Sequence, residues 1–256
     1  MRGERVNSRR DDSPKPQPKG KAQLIRTLKD MVKIYSPAVR PIVTTNQDGD
    51  EGIGSAFHVG EGTFVTARHV VEGMQSASLL PSDAPWVGSP PIPIQPLFHE
   101  DPKIDVAVFC VPQLSHLPAI VLGGHLDDRI NDDAFLLNEV VVLGYPPIPL
   151  ARGPVLIAAK GAISAVVDLR QIDHVHFVLT AMARGGFSGG VVLSEWKFAL
   201  GVVTMSLIRD DAPAELGYLT VLSVEPIYNC LGQNGLLTKA HTELFGDLFD
   251  KRPPRS

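Results

Sequence analysis

Apolar and polar positions along this 256-residue chain alternate in short runs broken by Gly, Pro and polar turns, a rhythm that predicts strands far more than helices. The first apolar periodicity falls at residues 22–34, where Leu24, Leu28, Met31 and Val32 share one helical face. A helix is predicted over 22–35, stopped by Ser36-Pro37, because the residue before a proline avoids the α region. Strands follow at Val39–Thr45, Ser55–Val59 and Thr63–Thr66, with turns at Asp48-Gly49-Asp50 and Gly60-Glu61-Gly62. Residues 81–97 are proline-rich and read as a surface insertion with an edge strand at its end. Ile104–Val111 reads as a buried strand, and 112–138 as the connection between two halves. The second half holds short β-rich runs at Val140–Leu143, Val155–Ala159, Gly161–Val167, Val175–Leu179, Val191–Leu193, Ala199–Met205 and Tyr218–Leu222. A helix at Glu225–Leu231, a turn at Asn234-Gly235 and an amphipathic stretch at Leu237–Phe249 close the chain. The pattern predicts an all-β body, a sandwich or a pair of barrels, with short helices at each end.

Composition narrows the class. The 23 Gly and 22 Pro suit a protein of many turns. No apolar run reaches membrane-spanning length: the longest candidate, Val140–Ala151, is cut by Pro146, Pro147 and Pro149 and followed by Arg152. The N-terminus has no apolar core of a secretory signal, so a cytoplasmic location is expected. The two cysteines, Cys110 and Cys230, are then expected to be reduced and buried. Cys110 lies in Val108-Phe109-Cys110-Val111 with no activating group beside it, which argues against a catalytic thiol.

Charge is unevenly spread. Residues 1–21 carry seven basic and three acidic side chains, so with a whole-chain charge of −4 the remainder carries −8. A body that acidic is a poor nucleic-acid surface. The arm, with Pro14, Pro16 and Pro18, reads as solvated and disordered.

Three polar residues stand out against this background. Ser188 lies in Gly185-Gly186-Phe187-Ser188-Gly189-Gly190, where glycines leave backbone amides free beside a hydroxyl on a tight turn. Upstream are His69 in Thr66-Ala67-Arg68-His69-Val70-Val71 and Asp105 in Asp105-Val106-Ala107-Val108, with Asp101 a nearby rival. A serine hydroxyl is a weak nucleophile at neutral pH. An imidazole, which ordinarily titrates near ~6.5, can take its proton and return it to a leaving amine. A buried carboxylate would orient the imidazole and stabilise its charged form. The N–H groups of Gly186 and Ser188 form the candidate oxyanion hole.

Other polar clusters lead nowhere. His174 and His176 would share a strand face, but no third metal ligand has convincing spacing, so both read as exposed strand residues. Asp48-Gly49-Asp50 lacks the later ligands of a calcium loop. Gly123-Gly124-His125 lacks the lysine and helix of a phosphate cradle. No metal or cofactor is expected.

The order His, Asp, Ser, with Gly-x-Ser-Gly-Gly around the serine, resembles the trypsin/chymotrypsin superfamily and within it the Deg/HtrA-type proteases. The matching pieces are Gly52-Ile53-Gly54-Ser55-Ala56-Phe57, Thr66-Ala67-Arg68-His69-Val70-Val71, Asp101-Pro102-Lys103-Ile104-Asp105-Val106-Ala107-Val108, Val142-Leu143-Gly144-Tyr145-Pro146, Gly161-Ala162-Ile163-Ser164, Gly186-Phe187-Ser188-Gly189-Gly190 and Gly201-Val202-Val203-Thr204. The resemblance implies two packed six-stranded β-barrels with the site in the cleft between them. Its organisation would be a basic arm (1–21), an N-terminal helix (22–35), a first barrel with His69 and Asp105 (36–125), a second with Ser188 (126–232), and a C-terminal helix and tail (233–256). It implies a serine endopeptidase acting on polypeptides through an acyl-enzyme. Met182 would stand at the base of the primary pocket, where tryptic enzymes hold an acid, with Met205, Ser206 and Gly217 on the walls. Preference for a small or medium apolar side chain follows. Thr204, Met205 and Ser206 would pair with substrate as an added strand, and the Thr204 hydroxyl resembles one that contacts the catalytic carboxylate.

The chain departs from that pattern in three places. Phe187 replaces the usual Asp or Asn before the serine, which removes the partner a cleaved N-terminus would need. Gly185 replaces a proline common in the Deg branch. The segment after Leu231 is too short for a PDZ domain. These departures motivate the alternative of a dormant or partner-activated module that binds peptides or proteins, with oligomeric state left open.

Overall fold

The computed structural model describes residues 27–81, 90–124, 133–169, 172–181, 186–206 and 219–243. The basic arm, most of the C-terminal tail, Met182, Gly185 and Gly217 lie outside the described residues. Helix α1 (Leu28–Tyr35) begins at a capping box in which Asp30 N–H donates to Thr27 Oγ1 and the Thr27 N–H to Asp30 Oδ2. It ends at Ser36-Pro37, as predicted, and passes through a 3-10 turn into β1 (Val39–Thr45).

Strands β2 (Glu51–Gly60) and β3 (Thr63–Thr66) follow, then the four-residue helix α2 (Arg68–Val71), β4 (Ser76–Leu79), β5 (Ile92–Pro93), β6 (Leu97–Phe98) and β7 (Ala107–Cys110). These form one seven-stranded sheet in the order β5-β4-β1-β2-β3-β7-β6. It is a half-barrel rather than the closed six-stranded form expected, and its outermost strands hold two residues each.

The second unit is the closed six-stranded barrel expected. It comprises β8 (Glu139–Gly144), β9 (Ile157–Leu169), β10 (Ile172–Leu179), β11 (Val191–Ser194), β12 (Ala199–Ser206) and β13 (Leu219–Ser223), in the order β10-β13-β12-β11-β8-β9. Helix α3 (Val224–Gln233) ends at Asn234-Gly235, and residues 239–243 are again helical. The architecture is all-β with short terminal helices, a chymotrypsin-like double-barrel arrangement.

Three apolar clusters hold it together. One fills the first unit around Ile42, Phe64 and Phe109, and another the second barrel around Val142, Phe177 and Phe187. The third joins them: Met31 and Tyr35 of α1 meet Phe57, Val108, Leu143, Tyr145, Val202 and Tyr228. The buried Tyr145 hydroxyl donates to the Val39 carbonyl at 3.2 Å, linking second unit to first.

Two local differences bear on the site. The predicted strand Ile104–Val111 shortens to β7, because Ile104 N–H bonds back to Asp101 O and Val106 N–H to Ile104 O. Asp105 is thereby placed on a turn. Cys110, expected buried, is exposed at the strand end; Cys230 is buried, and both are free.

Candidate active site

The chain brings His69 and Asp105 into direct contact. His69 sits on α2, directly after β3, and Asp105 on the turn before β7, the partner of β3. His69 Nδ1 lies 2.7 Å from Asp105 Oδ2, and the His69 backbone N–H donates to Oδ1 at 2.9 Å. A carboxylate only accepts, so Nδ1 donates to it, and in the neutral ring Nε2 keeps its lone pair. The His69 side chain is 48% exposed and that of Asp105 21%, so the carboxylate is half-buried rather than fully buried. Asp101 does not compete: its Oδ1 accepts the Lys103 N–H.

Arg68 ties the two elements together. Its guanidinium lies 4.8 Å from the centre of the Phe98 ring and donates to the carbonyls of His99 and Asp101 at 3.1 and 3.4 Å. Nε donates to Glu72 at 2.8 Å. The loop leading to Asp105 is therefore gripped by the residue preceding His69. Nothing local in the sequence marks this role, since the carbonyls lie more than thirty residues away.

The Ser188 turn connects β10 to β11 and is held from both sides. Ser188 C=O accepts the Ser55 N–H at 2.9 Å. Gly189 N–H donates to Val203 O at 2.8 Å, and Val203 N–H to Gly190 O at 2.9 Å. Gly189, at φ +79°, lies so close to β2 and β3 that a Cβ there would stand 2.1 Å from Ser55 O and 2.3 Å from Thr66 Oγ1. The same atom would lie 3.1 Å from Ala67 N, two residues before His69. Gly186 has φ +89° and presses on Pro146 and Pro147. Phe187 is 3% exposed and packs in the second-barrel cluster, with its ring against Gly144. The turn is thus anchored by an apolar side chain where the family pattern has a polar one.

Among the substrate-contact candidates, Thr204 is buried at an irregularity in β12, between Val203 and Met205. Met205 and Ser206 pair with Thr220 and Leu219 of β13. The β11 pairing stops at Val202, so among the described residues no strand pairs with 204–206 on the side away from β13.

The histidines of β10 differ from expectation. His176 is buried, and His174 lies between His99 of the first unit and Glu225 of α3. The His174 ring lies 6.3 Å from that of His99, and its Nδ1 is 3.6 Å from Glu225 Oε2. Burial lowers the pKa of both His99 and His176. No group of three or more His, Cys, Asp or Glu side chains among the described residues is arranged to hold a metal ion.

Residues 54–202 match the trypsin-like peptidase domain, more than half of the chain. The chain belongs to the trypsin-like peptidase family, and its class is that of the serine endopeptidases. Among solved structures, the active form of the Rv3671c protease from M. tuberculosis superposes with a TM-score of 0.62 at 24% identity, over 81% of this chain and 85% of that one. The HtrA-type protease AlgW with a tripeptide gives 0.63 at 21% identity, over 82% of this chain and 64% of that one. The serine endoprotease from Yersinia pestis gives 0.59 at 17% identity, over 84% and 68%. No helix among the described residues is long and apolar enough to cross a membrane.

Proposed function

We propose that this chain hydrolyses polypeptides through an acyl-enzyme, with Ser188 as nucleophile, His69 as general base and acid, and Asp105 as its orienting carboxylate. The observation that carries the reading is the double contact of Asp105 with His69, which leaves Nε2 basic on a half-exposed ring. The packing of Gly189 onto Ser55, Thr66 and Ala67 supports the third member, since it brings the serine turn to the element bearing His69.

In this mechanism Nε2 takes the Ser188 proton as Oγ attacks the peptide carbonyl. The charge that develops on the carbonyl oxygen is met by the N–H groups of Gly186 and Ser188. The imidazolium, paired with Asp105, returns its proton to the leaving amine, and water then hydrolyses the ester by the same route. Among the described residues no strand pairs with Thr204, Met205 and Ser206 on the side away from β13, which supports substrate addition as a strand. Met182 offers no anion for a basic side chain, which favours small or medium apolar residues at the cleaved position, with Gly217 on the pocket wall. A peptide is bound in the AlgW structure, which accords with a polypeptide substrate. Two unpaired cysteines accord with a cytoplasmic location.

The test is labelling by a fluorophosphonate probe together with peptide cleavage. Wild-type protein labels and cleaves; Ser188→Ala does neither and keeps its thermal unfolding midpoint. Labelling that survives the substitution removes Ser188 from its role. A wild type that never labels but binds peptides marks a dormant module, and one that labels only with a partner present marks an activated protease.

A further inference from the structure

We propose that Ser55 is a positioning residue for the oxyanion turn, acting through its side-chain hydroxyl. This rests on the reading of Gly186 and Ser188 as oxyanion donors. Ser55 lies on β2 of the first unit and is completely buried. All of its polar groups are used, and three of its four bonds reach the second unit. Oγ donates to the Gly186 carbonyl at 2.8 Å and accepts the Tyr145 N–H at 2.8 Å. Its N–H donates to the Ser188 carbonyl, and its own carbonyl accepts from Thr66 Oγ1 at 2.7 Å.

These bonds fix peptide planes. The Ser188 N–H belongs to the plane joining Phe187 to Ser188. The plane before it is held by Ser55 Oγ at the Gly186 carbonyl, and the plane after it by the Ser55 N–H at the Ser188 carbonyl. The middle plane is held by Gly190 N–H on the Phe187 carbonyl at 2.7 Å. Of these restraints, the hydroxyl is the one a side-chain substitution removes. Gly186 most needs it, because a glycine samples positive and negative φ about equally and nothing in its own side chain holds φ at +89°. The hydroxyl also couples two segments: the Tyr145 N–H orients its lone pair, so the end of β8 and the turn are tied through one oxygen. Donors that are already aimed when charge develops cost no reorganisation, which is where their catalytic value lies.

The experiment compares wild type with Ser55→Ala and Ser55→Cys. In Ser55→Ala, kcat falls by about 10–100-fold with KM within about threefold, a loss confined to the transition state. Affinity for a peptide boronate, whose adduct places an oxygen in the hole, falls in step with kcat/KM. Amide hydrogen exchange accelerates at residues 186–190 and at Tyr145 and not in β10. Ser55→Cys, a weaker donor of similar shape, falls between the two and serves alone should Ser55→Ala fail to fold. If wild type labels with fluorophosphonate but both variants match it in kcat, boronate affinity and exchange, the Ser55 proposal is wrong and the catalytic reading stands. Equal losses in substrate and boronate binding also overturn it, since they mark a merely structural role. If wild type takes no label with or without a partner present, the catalytic reading fails and carries this proposal with it.

Discussion

Asp105 gives both of its carboxylate oxygens to His69, one to the ring and one to the backbone N–H of the same residue. The second bond matters as much as the first, because it stops the carboxylate from rotating away and ties the turn before β7 to α2. In Asp105→Asn the oxygen that accepts the backbone N–H can stay, which turns the amide NH2 toward Nδ1. That forces the ring proton onto Nε2, the wrong tautomer for a base. We expect kcat for peptide cleavage to fall on the order of 10⁴-fold, with the unfolding midpoint changed by only a few degrees. A variant retaining a tenth of wild-type activity would show that this carboxylate does not orient the ring.

Arg68 grips the same turn from the other side through Phe98 and the carbonyls of His99 and Asp101. Arg68→Lys keeps the charge but loses the planar fork, so it should behave nearly as badly as Arg68→Met. Steady-state kinetics should give a roughly tenfold lower kcat for both. Full activity in Arg68→Met would mean the loop is held without it.

The apolar anchor of the serine turn has a stability signature. Phe187→Ala removes a ring that is 3% exposed within the second-barrel cluster, and such truncations cost about 3–5 kcal/mol. Urea unfolding should report that loss, and active-site titration a reduced fraction of competent sites. Phe187→Leu should retain most of both.

Gly189→Ala should be worse than its single methyl group suggests. The new Cβ would fall within 2.3 Å of Ser55 O and Thr66 Oγ1, at a backbone angle that disfavours any side chain. Loss of fluorophosphonate labelling is expected even where circular dichroism shows the barrels formed.

Acid should destabilise the fold well before carboxylates titrate. Burial lowers the pKa of His241 to about 4, and lowers those of His99 and His176. Between the folded value and ~6.5, the unfolded chain binds protons that the folded chain refuses, so stability is full above ~6.5 and is lost as pH falls. Each such histidine contributes a slope of up to about 1.4 kcal/mol per pH unit. Urea unfolding from pH 7.5 to 4.5 should show this decline, and His241→Phe should make it shallower by that one histidine's share. A level profile in the wild type would contradict the burial of these rings.

Much of this was legible in the chain itself. Short apolar runs bounded by Gly, Pro and polar turns marked most strands, because strands such as β3, β11 and β13 are buried along their whole length. His69, Asp105 and Ser188 stood out as candidates because activating a hydroxyl calls for those residue types, and because glycines flank the serine. Where local signals misled, a distant contact had decided. Val155–Ala159 and Gly161–Val167 read as two strands, yet β9 runs unbroken from Ile157 to Leu169, and a Cβ at Gly161 would stand 3.0 Å from Ala181. Ile104–Val106 looked like strand and became the turn that delivers Asp105 to His69.

Residue order alone therefore determined the β class and the punctuation between strands, and it singled out His69, Asp105 and Ser188 as candidates. The tertiary structure set Asp105 against the imidazole, packed Phe187 into the second-barrel cluster, and gave Ser55 and Arg68 their long-range bonds. The physical reason is range. Periodicity and turn chemistry act between neighbours, whereas Ser55 bonds to a carbonyl 131 residues away and Arg68 to one 31 away, through groups that look like ordinary surface polarity until the sheets close.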